Sequence, residues 1–151
     1  MPSASPTIHA SAVLVGAKAV LIRGPSGAGK SRLAWDLIQA AAQNALPFAR
    51  LVADDRAFVE THGGRLLVRP APALAGMLEI HGLGIRRLAN EPVAAVGLVV
   101  DLAAEDATRL PAPEACKTAI SGVNLPRLAV AAGQAALPWV LAALRTSPAG
   151  D

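Results

Sequence analysis

A chain of 151 residues that is 53% hydrophobic and 17% charged can fill one core and is too apolar for a disordered segment. Aromatic residues make up 3% and Tyr is absent, which excludes a stacking platform for single-stranded nucleic acid. The net charge is +3 and the excess lies in residues 1–75, a bias that suits a phosphate-bearing ligand but is too small to argue for nucleic acid.

Residues 1–7 read as a loose, flexible tail without the basic segment of a secretory leader. No apolar run reaches 18 residues, so no transmembrane helix is predicted, and the single Cys116 fits a reducing, cytoplasmic setting. Ile8–Val15 predicts a strand, Val15-Gly16-Ala17-Lys18 a hairpin turn, and Ala19–Arg23 a second strand. Gly24–Ser31 is a glycine-rich loop. Leu33, Ala34, Leu37, Ile38, Ala41 and Ala42 then share one helical face, with Pro47 beyond the helix end. Leu51-Val52-Ala53 predicts a buried strand ending in Asp54-Asp55. Ala57–Val59 and Leu66–Val68 flank a hairpin signal at Thr61–Gly64. Pro70–Pro72 is a loop, 73–80 a short helix or turn, Val93–Leu102 a buried strand, and 105–114 a polar, proline-punctuated connection. Leu125–Val130 predicts a last strand and Gln134–Leu144 a C-terminal helix containing Pro138. No internal repeat or linker divides the chain.

Gly24-Pro25-Ser26-Gly27-Ala28-Gly29-Lys30-Ser31 fits G-x-x-x-x-G-K-[ST], a coincidence of roughly one in 600 at this composition. Such a loop needs glycines so that successive N–H groups converge on phosphate oxygens. The helix N-terminus adds partial positive charge, Lys30 a full one, and the Ser31 hydroxyl a donor to Mg²⁺. The loop names a ligand rather than a reaction. None of Asn44, Asn90 and Asn124 precedes a Lys, which disfavours a guanine-reading GTPase. Asp54 and Asp55, at the carboxyl end of the next strand, suit a metal-holding carboxylate and a proton acceptor, or equally a solvated turn. Leu78-Glu79-Ile80-His81-Gly82-Leu83-Gly84-Ile85 has a lone acid between apolar residues, then two glycines. Taken alone it fits a site or an exposed β-turn equally well.

The combination of His9 before an apolar strand, Gly-Pro-Ser-Gly-Ala-Gly-Lys-Ser, Leu-Val-Ala-Asp-Asp-Arg and Leu-Glu-Ile-x-Gly-Leu-Gly-Ile resembles the catalytic domain of the bacterial HPr kinase/phosphorylase family over about residues 8–130. Arg109-Leu110 is similar to a further family Arg-Leu. The resemblance implies an α/β P-loop kinase domain with a mixed sheet, of the PEP carboxykinase-like architecture, over residues 8–146, with tails at 1–7 and 147–151. It implies ATP- and Mg²⁺-dependent phosphorylation of a serine on HPr, the phosphocarrier of the phosphotransferase system, and phosphate-dependent dephosphorylation releasing pyrophosphate. It also implies that Gly24–Ser31 hold nucleotide, Ser31 and Glu79 hold Mg²⁺, and Asp55 moves the serine proton with Asp54 beside it. His9, Lys30 and Arg109 complete the implied catalytic set. The family is hexameric, so a homo-oligomer is expected, with no membrane or nucleic-acid partner. Its N-terminal domain has no counterpart here, which predicts a catalytic-only form. Three departures stand out: His81 where the family has Arg, a shorter 86–96 stretch, and Pro126-Arg127 where the family has Pro-Lys. They favour the kinase direction over the phosphorylase direction. The alternatives are a small-molecule kinase or ATPase on the same loop, and a nucleotide sensor without turnover.

Overall fold

The computed structural model, which describes residues 7–149, has its regular structure mainly in strands, with two α-helices. β1 (Thr7–Ile8) and β2 (Ala10–Val15) are separated by a bend at His9, so the single strand expected over 8–15 is broken there. The expected turn at Gly16-Ala17 leads into β3 (Lys18–Arg23), with Lys18 opposite Val15. Helix α1 (Lys30–Ala42) buries Leu33, Ala34, Leu37 and Ala40, close to the expected face. Next come β4 (Ala49–Ala53) and the hairpin of β5 (Ala57–His62) with β6 (Arg65–Pro70).

The short helix or turn expected over 73–80 is instead a 3-10 turn at Pro72–Leu74 and a strand, β7 (Met77–Ile80). β7 hairpins with β8 (Gly84–Arg87). Leu78 is wholly buried in the core with Leu33 and Leu37, while Glu79 faces out. Four residues are too few for that alternation to show against the small residues around it. β9 (Ala94–Leu102) and β11 (Val123–Val130) answer to the expected strands. β10 (Lys117–Ile120), unanticipated, pairs with β11. Helix α2 (Leu137–Arg145) begins later than expected, which moves Pro138 into its first turn, where a missing N–H costs no helical bond. Residues 1–6 of the expected N-terminal tail lie outside the described residues; Thr7 is in β1.

The main sheet runs β1-β5-β6-β9-β3-β2-β4, and β11 pairs with the later half of β9. β9 is parallel to β3 and to β11. β2 is antiparallel to both β3 and β4, so β4 also runs with β3. Four strands therefore end on one edge of a mixed sheet, the edge where open α/β sheets bind ligands. Along β3, Val20 and Ile22 pack with Leu33 and Leu37 of α1, whereas Ala19 and Leu21 pack with Val59, Leu66 and Val68 of the β5–β6 layer. Each buried aliphatic of this kind contributes on the order of 1.5–3 kcal/mol, so both faces of β3 anchor the loop that follows it. Among the described residues no helix is long and apolar enough to cross a membrane.

Candidate active site

The glycine-rich loop leaves β3 at the edge shared by the four strand ends. A Cβ on Gly24 would stand 3.1 Å from Leu102 Cβ and 3.2 Å from the Leu102 carbonyl oxygen, so only glycine lets the loop start against β9. Gly29 caps α1 with φ +102°, a conformation that disfavours any side chain. Lys30 is buried, and its Nζ donates to the carbonyls of Gly24 (2.8 Å) and Pro25 (3.3 Å). The lysine thus braces the loop whose amides would bind phosphate. Ser26–Ser31 line a cleft of about 940 Å³.

Asp54 is a hub. Its Oδ1 accepts from Ser31 Oγ at 2.6 Å and from Ser11 Oγ at 2.7 Å, and its Oδ2 accepts from the Glu79 N–H at 3.1 Å. Ser11 Oγ in turn accepts from the Asp55 N–H at 3.1 Å. One carboxylate therefore joins the phosphate loop, β2 and β7. Ser11, Lys30 and Asp54 are the buried polar residues of the described chain, and all three stand at this site. Because Ser31 gives its proton to Asp54, its oxygen lone pairs are left for the cleft.

Asp55 differs from its neighbour. It is exposed, lines the cleft, and has φ +66°, a left-handed conformation that an aspartate tolerates better than most residues. The turn swings one carboxylate inward to the hub and the other outward to the cleft. Glu79 and His81 line the same flank. Trp35, at one helical turn from Ser31, lines the cleft while packing its inner side on the core.

The structure brings together Ser26–Ser31, Asp54, Asp55 and Glu79, all expected from sequence. Gly24 and Pro25 contribute through their carbonyls to Lys30. His9 is exposed at the β1–β2 bend and outside the cleft lining; its link to the site is the neighbouring Ala10 N–H, which donates to the Asp55 carbonyl at 3.2 Å. Arg109 is exposed on the 103–112 connection and also outside the lining. Ser11 was missed by sequence reasoning. Its signal was a hydroxyl inside an otherwise apolar strand.

A second ionic cluster closes the edge beside the loop. Asp101, at the end of β9, accepts from Arg23 (2.7 and 2.8 Å) and from Arg127 Nε (2.6 Å). Arg127 also donates to both Asp106 oxygens and to the Ala115 carbonyl. Burial opposes ionisation of Asp101, but the two guanidiniums outweigh it and hold its carboxyl below the ordinary range. The bond from Arg127 likewise lowers Asp106, while Asp106 and then Asp101 raise Arg127. Arg127 is thus committed to holding the 103–112 connection against the sheet.

Among the described residues no group of three His, Cys, Asp or Glu side chains could hold a metal unaided. The donors facing the cleft, the Ser31 hydroxyl and the Asp55 and Glu79 carboxylates, are hard oxygens. They fit Mg²⁺, which keeps waters and takes substrate phosphates beside one or two carboxylates.

Comparison with known proteins gives a family and a fold. The family described as HPr Serine kinase C-terminal domain matches residues 3–134. The chain is 37% identical over 83 residues to an HPr kinase/phosphorylase of Mycoplasma mycoides, covering 54% of this chain and 24% of that protein. It is 38% identical over 78 residues to the one from Clostridium beijerinckii, covering 52% and 24%. These matches span about a quarter of the curated relatives' length. The solved structure of the Hpr(Ser) kinase/phosphatase from Coxiella burnetii superposes with TM-score 0.72 at 24% identity, over 93% of this chain and 88% of that one, which shows a shared fold.

Proposed function

This chain belongs to the HPr serine kinase C-terminal domain family, and on that premise we propose that it is a kinase acting on a serine of an HPr-like phosphocarrier, with ATP as phosphoryl donor. The observation that carries the reading is the Asp54 hub. It ties the phosphate loop's Ser31 to the strand ends that present Asp55 and Glu79 to one cleft. A pure binding module has no use for a second carboxylate held out by a left-handed turn.

In the proposed reaction the loop amides and Lys30 hold the triphosphate, and Ser31 with Glu79 would hold Mg²⁺, which neutralises charge on the transferring phosphoryl group. Asp55 takes the proton from the acceptor serine as its oxygen forms the new P–O bond. The bond from the γ-phosphorus to the bridging oxygen breaks, and ADP leaves. In the phosphorylase direction inorganic phosphate attacks the phosphoserine, pyrophosphate leaves, and Asp55 returns the proton to the serine oxygen. His9 and Arg109, outside the cleft lining, are given no step. The setting proposed is cytoplasmic, with HPr as a transient partner.

Intact-mass spectrometry of a cognate HPr, incubated with the chain, Mg²⁺ and ATP, tests the reading. One phosphate gained on serine, then lost with pyrophosphate release after inorganic phosphate is added, is expected. ATP binding with no gain in HPr mass would overturn it.

A further inference from the structure

Two aspartates follow one another after β4, yet Asp54 is buried and Asp55 is exposed on the cleft. The backbone at Asp55 makes that split. The Arg56 N–H donates to the Asp54 carbonyl at 2.7 Å, which closes a three-residue turn with Asp55 at its centre and φ +66°. A γ-turn with negative φ is common, whereas the positive-φ form is rare and strained. Such strain persists only while the surroundings hold it. Once the hold is lost the turn relaxes, and the Asp55 carboxylate leaves its place on the cleft wall.

The hold comes from two consecutive residues of β2. The Ala10 N–H donates to the Asp55 carbonyl at 3.2 Å, and Ser11 Oγ accepts from the Asp55 N–H at 3.1 Å. The first bond is backbone to backbone. The second depends on one side-chain oxygen, and that oxygen is itself aimed: its proton goes to Asp54 Oδ1 at 2.7 Å, which leaves its lone pairs for the Asp55 N–H. Ser11 is 0% exposed, and the space a lost hydroxyl leaves is too small for a water to replace it.

The two aspartates do not depend on Ser11 equally. Without it Asp54 still accepts from Ser31 Oγ and from the Glu79 N–H, so the phosphate loop and β7 stay joined. The Asp55 N–H loses the acceptor it has, in a turn already under strain.

We infer that Ser11 is a positioning residue for phosphoryl transfer: it holds the strained turn that sets the Asp55 carboxylate on the cleft wall, and it takes no part in holding nucleotide. This rests on the reading of Asp55 as proton acceptor given above. Ser11 itself lies outside the cleft lining and touches no reacting atom. A reacting group displaced by about 1 Å costs on the order of 100-fold in rate, so loss of the Ser11 hydroxyl slows transfer by about 10–100-fold.

The test compares the native chain with Ser11→Ala, Asp55→Asn and the double variant. Ser11→Cys stands beside Ser11→Ala, because its sulfur fills the same space but is a weak acceptor. Single-turnover transfer to HPr is followed by intact mass, ATP affinity by calorimetric titration with Mg²⁺, and exchange of the Asp55 amide proton by NMR. Both Ser11 variants are expected to transfer about 10–100-fold more slowly, with ATP affinity within about threefold of native and a faster-exchanging Asp55 amide. In the Asp55→Asn background Ser11→Ala should cost less than about threefold, since the carboxylate it positions is already gone. An equal fractional loss in both backgrounds would mark a general weakening of the fold and overturn the inference. So would a loss confined to ATP affinity, which would route Ser11 through Asp54 and Ser31, or a native transfer rate or native Asp55 exchange in either Ser11 variant. A native chain that binds ATP and transfers nothing to HPr would instead remove the kinase reading, and this role with it.

Discussion

Replacing Asp54 by Ala removes the acceptor for three donors at once: Ser11 Oγ, Ser31 Oγ and the Glu79 N–H. The three do not cost the same. Ser11 is 0% exposed, so its hydroxyl loses its acceptor in the interior, at about 1–3 kcal/mol. Ser31 and Glu79 line the cleft, where water can take the place of the lost acceptor, so each loses only about 0.5–1.5 kcal/mol. The sum is about 2–6 kcal/mol, a large share of the roughly 5–15 kcal/mol that holds a domain together. Urea titration should show a lower midpoint at unchanged slope, and calorimetry a Tm lower by on the order of 10 °C. Asp54→Asn is the informative partner. Its amide can donate to both serine oxygens while its carbonyl accepts from Glu79, so it should retain most of the stability. It would nonetheless occupy the Ser31 lone pairs and weaken Mg²⁺-dependent nucleotide binding. An Asp54→Ala variant within about 0.5 kcal/mol of the native chain would refute the hub as a buried junction.

Other substitutions separate the roles of neighbouring groups. Lys30→Ala should weaken nucleotide binding by on the order of 100-fold in a calorimetric titration, since among the described residues Lys30 is the buried cation; unchanged affinity would undo the phosphate-loop assignment. Asp55→Asn should slow transfer to HPr by about 10²–10⁴-fold while leaving ATP affinity near native, and the reverse pattern would make Asp55 a metal residue. Asp101 is held below its ordinary value of 3.8, so its ion pairs stabilise the fold above that pH, and the stabilisation is lost as pH falls through the lowered value. Denaturation series from pH 6 to pH 2 should therefore show a shallower acid loss in Asp101→Asn, and curves that run parallel would exclude the pair as a source of acid sensitivity.

The phosphate loop, the acid pair and most strands were legible because each has a local signature. A glycine spacing, a helical face and an apolar run ending in two aspartates are all written within a few dozen residues. What was illegible is long-range. That Asp54 turns inward and Asp55 outward follows from a left-handed turn and from Ser11, 43 residues away in sequence. The Arg23–Asp101–Arg127 cluster spans three strands whose order no single segment encodes. The β7–β8 hairpin was hidden by its shortness, although the unusual Glu79 within it was noticed. His9 and Arg109 entered by resemblance alone, and both stand outside the cleft lining.

Ser11 also bears on how the sheet finds its alignment. The segments Ala10–Val15 and Ala49–Ala53 are so largely apolar that sliding one past the other by two residues would still bury aliphatic side chains. Hydrophobicity alone therefore does little to choose between the two alignments. The hydroxyl does choose, because in the shifted pairing it would lie buried away from Asp54 and lose its acceptor, while Asp54 would keep only Ser31 and the Glu79 N–H. A single polar atom in an oily strand thus acts as a registration mark, and a chain that has paired its strands correctly has, in the same step, assembled its phosphate site.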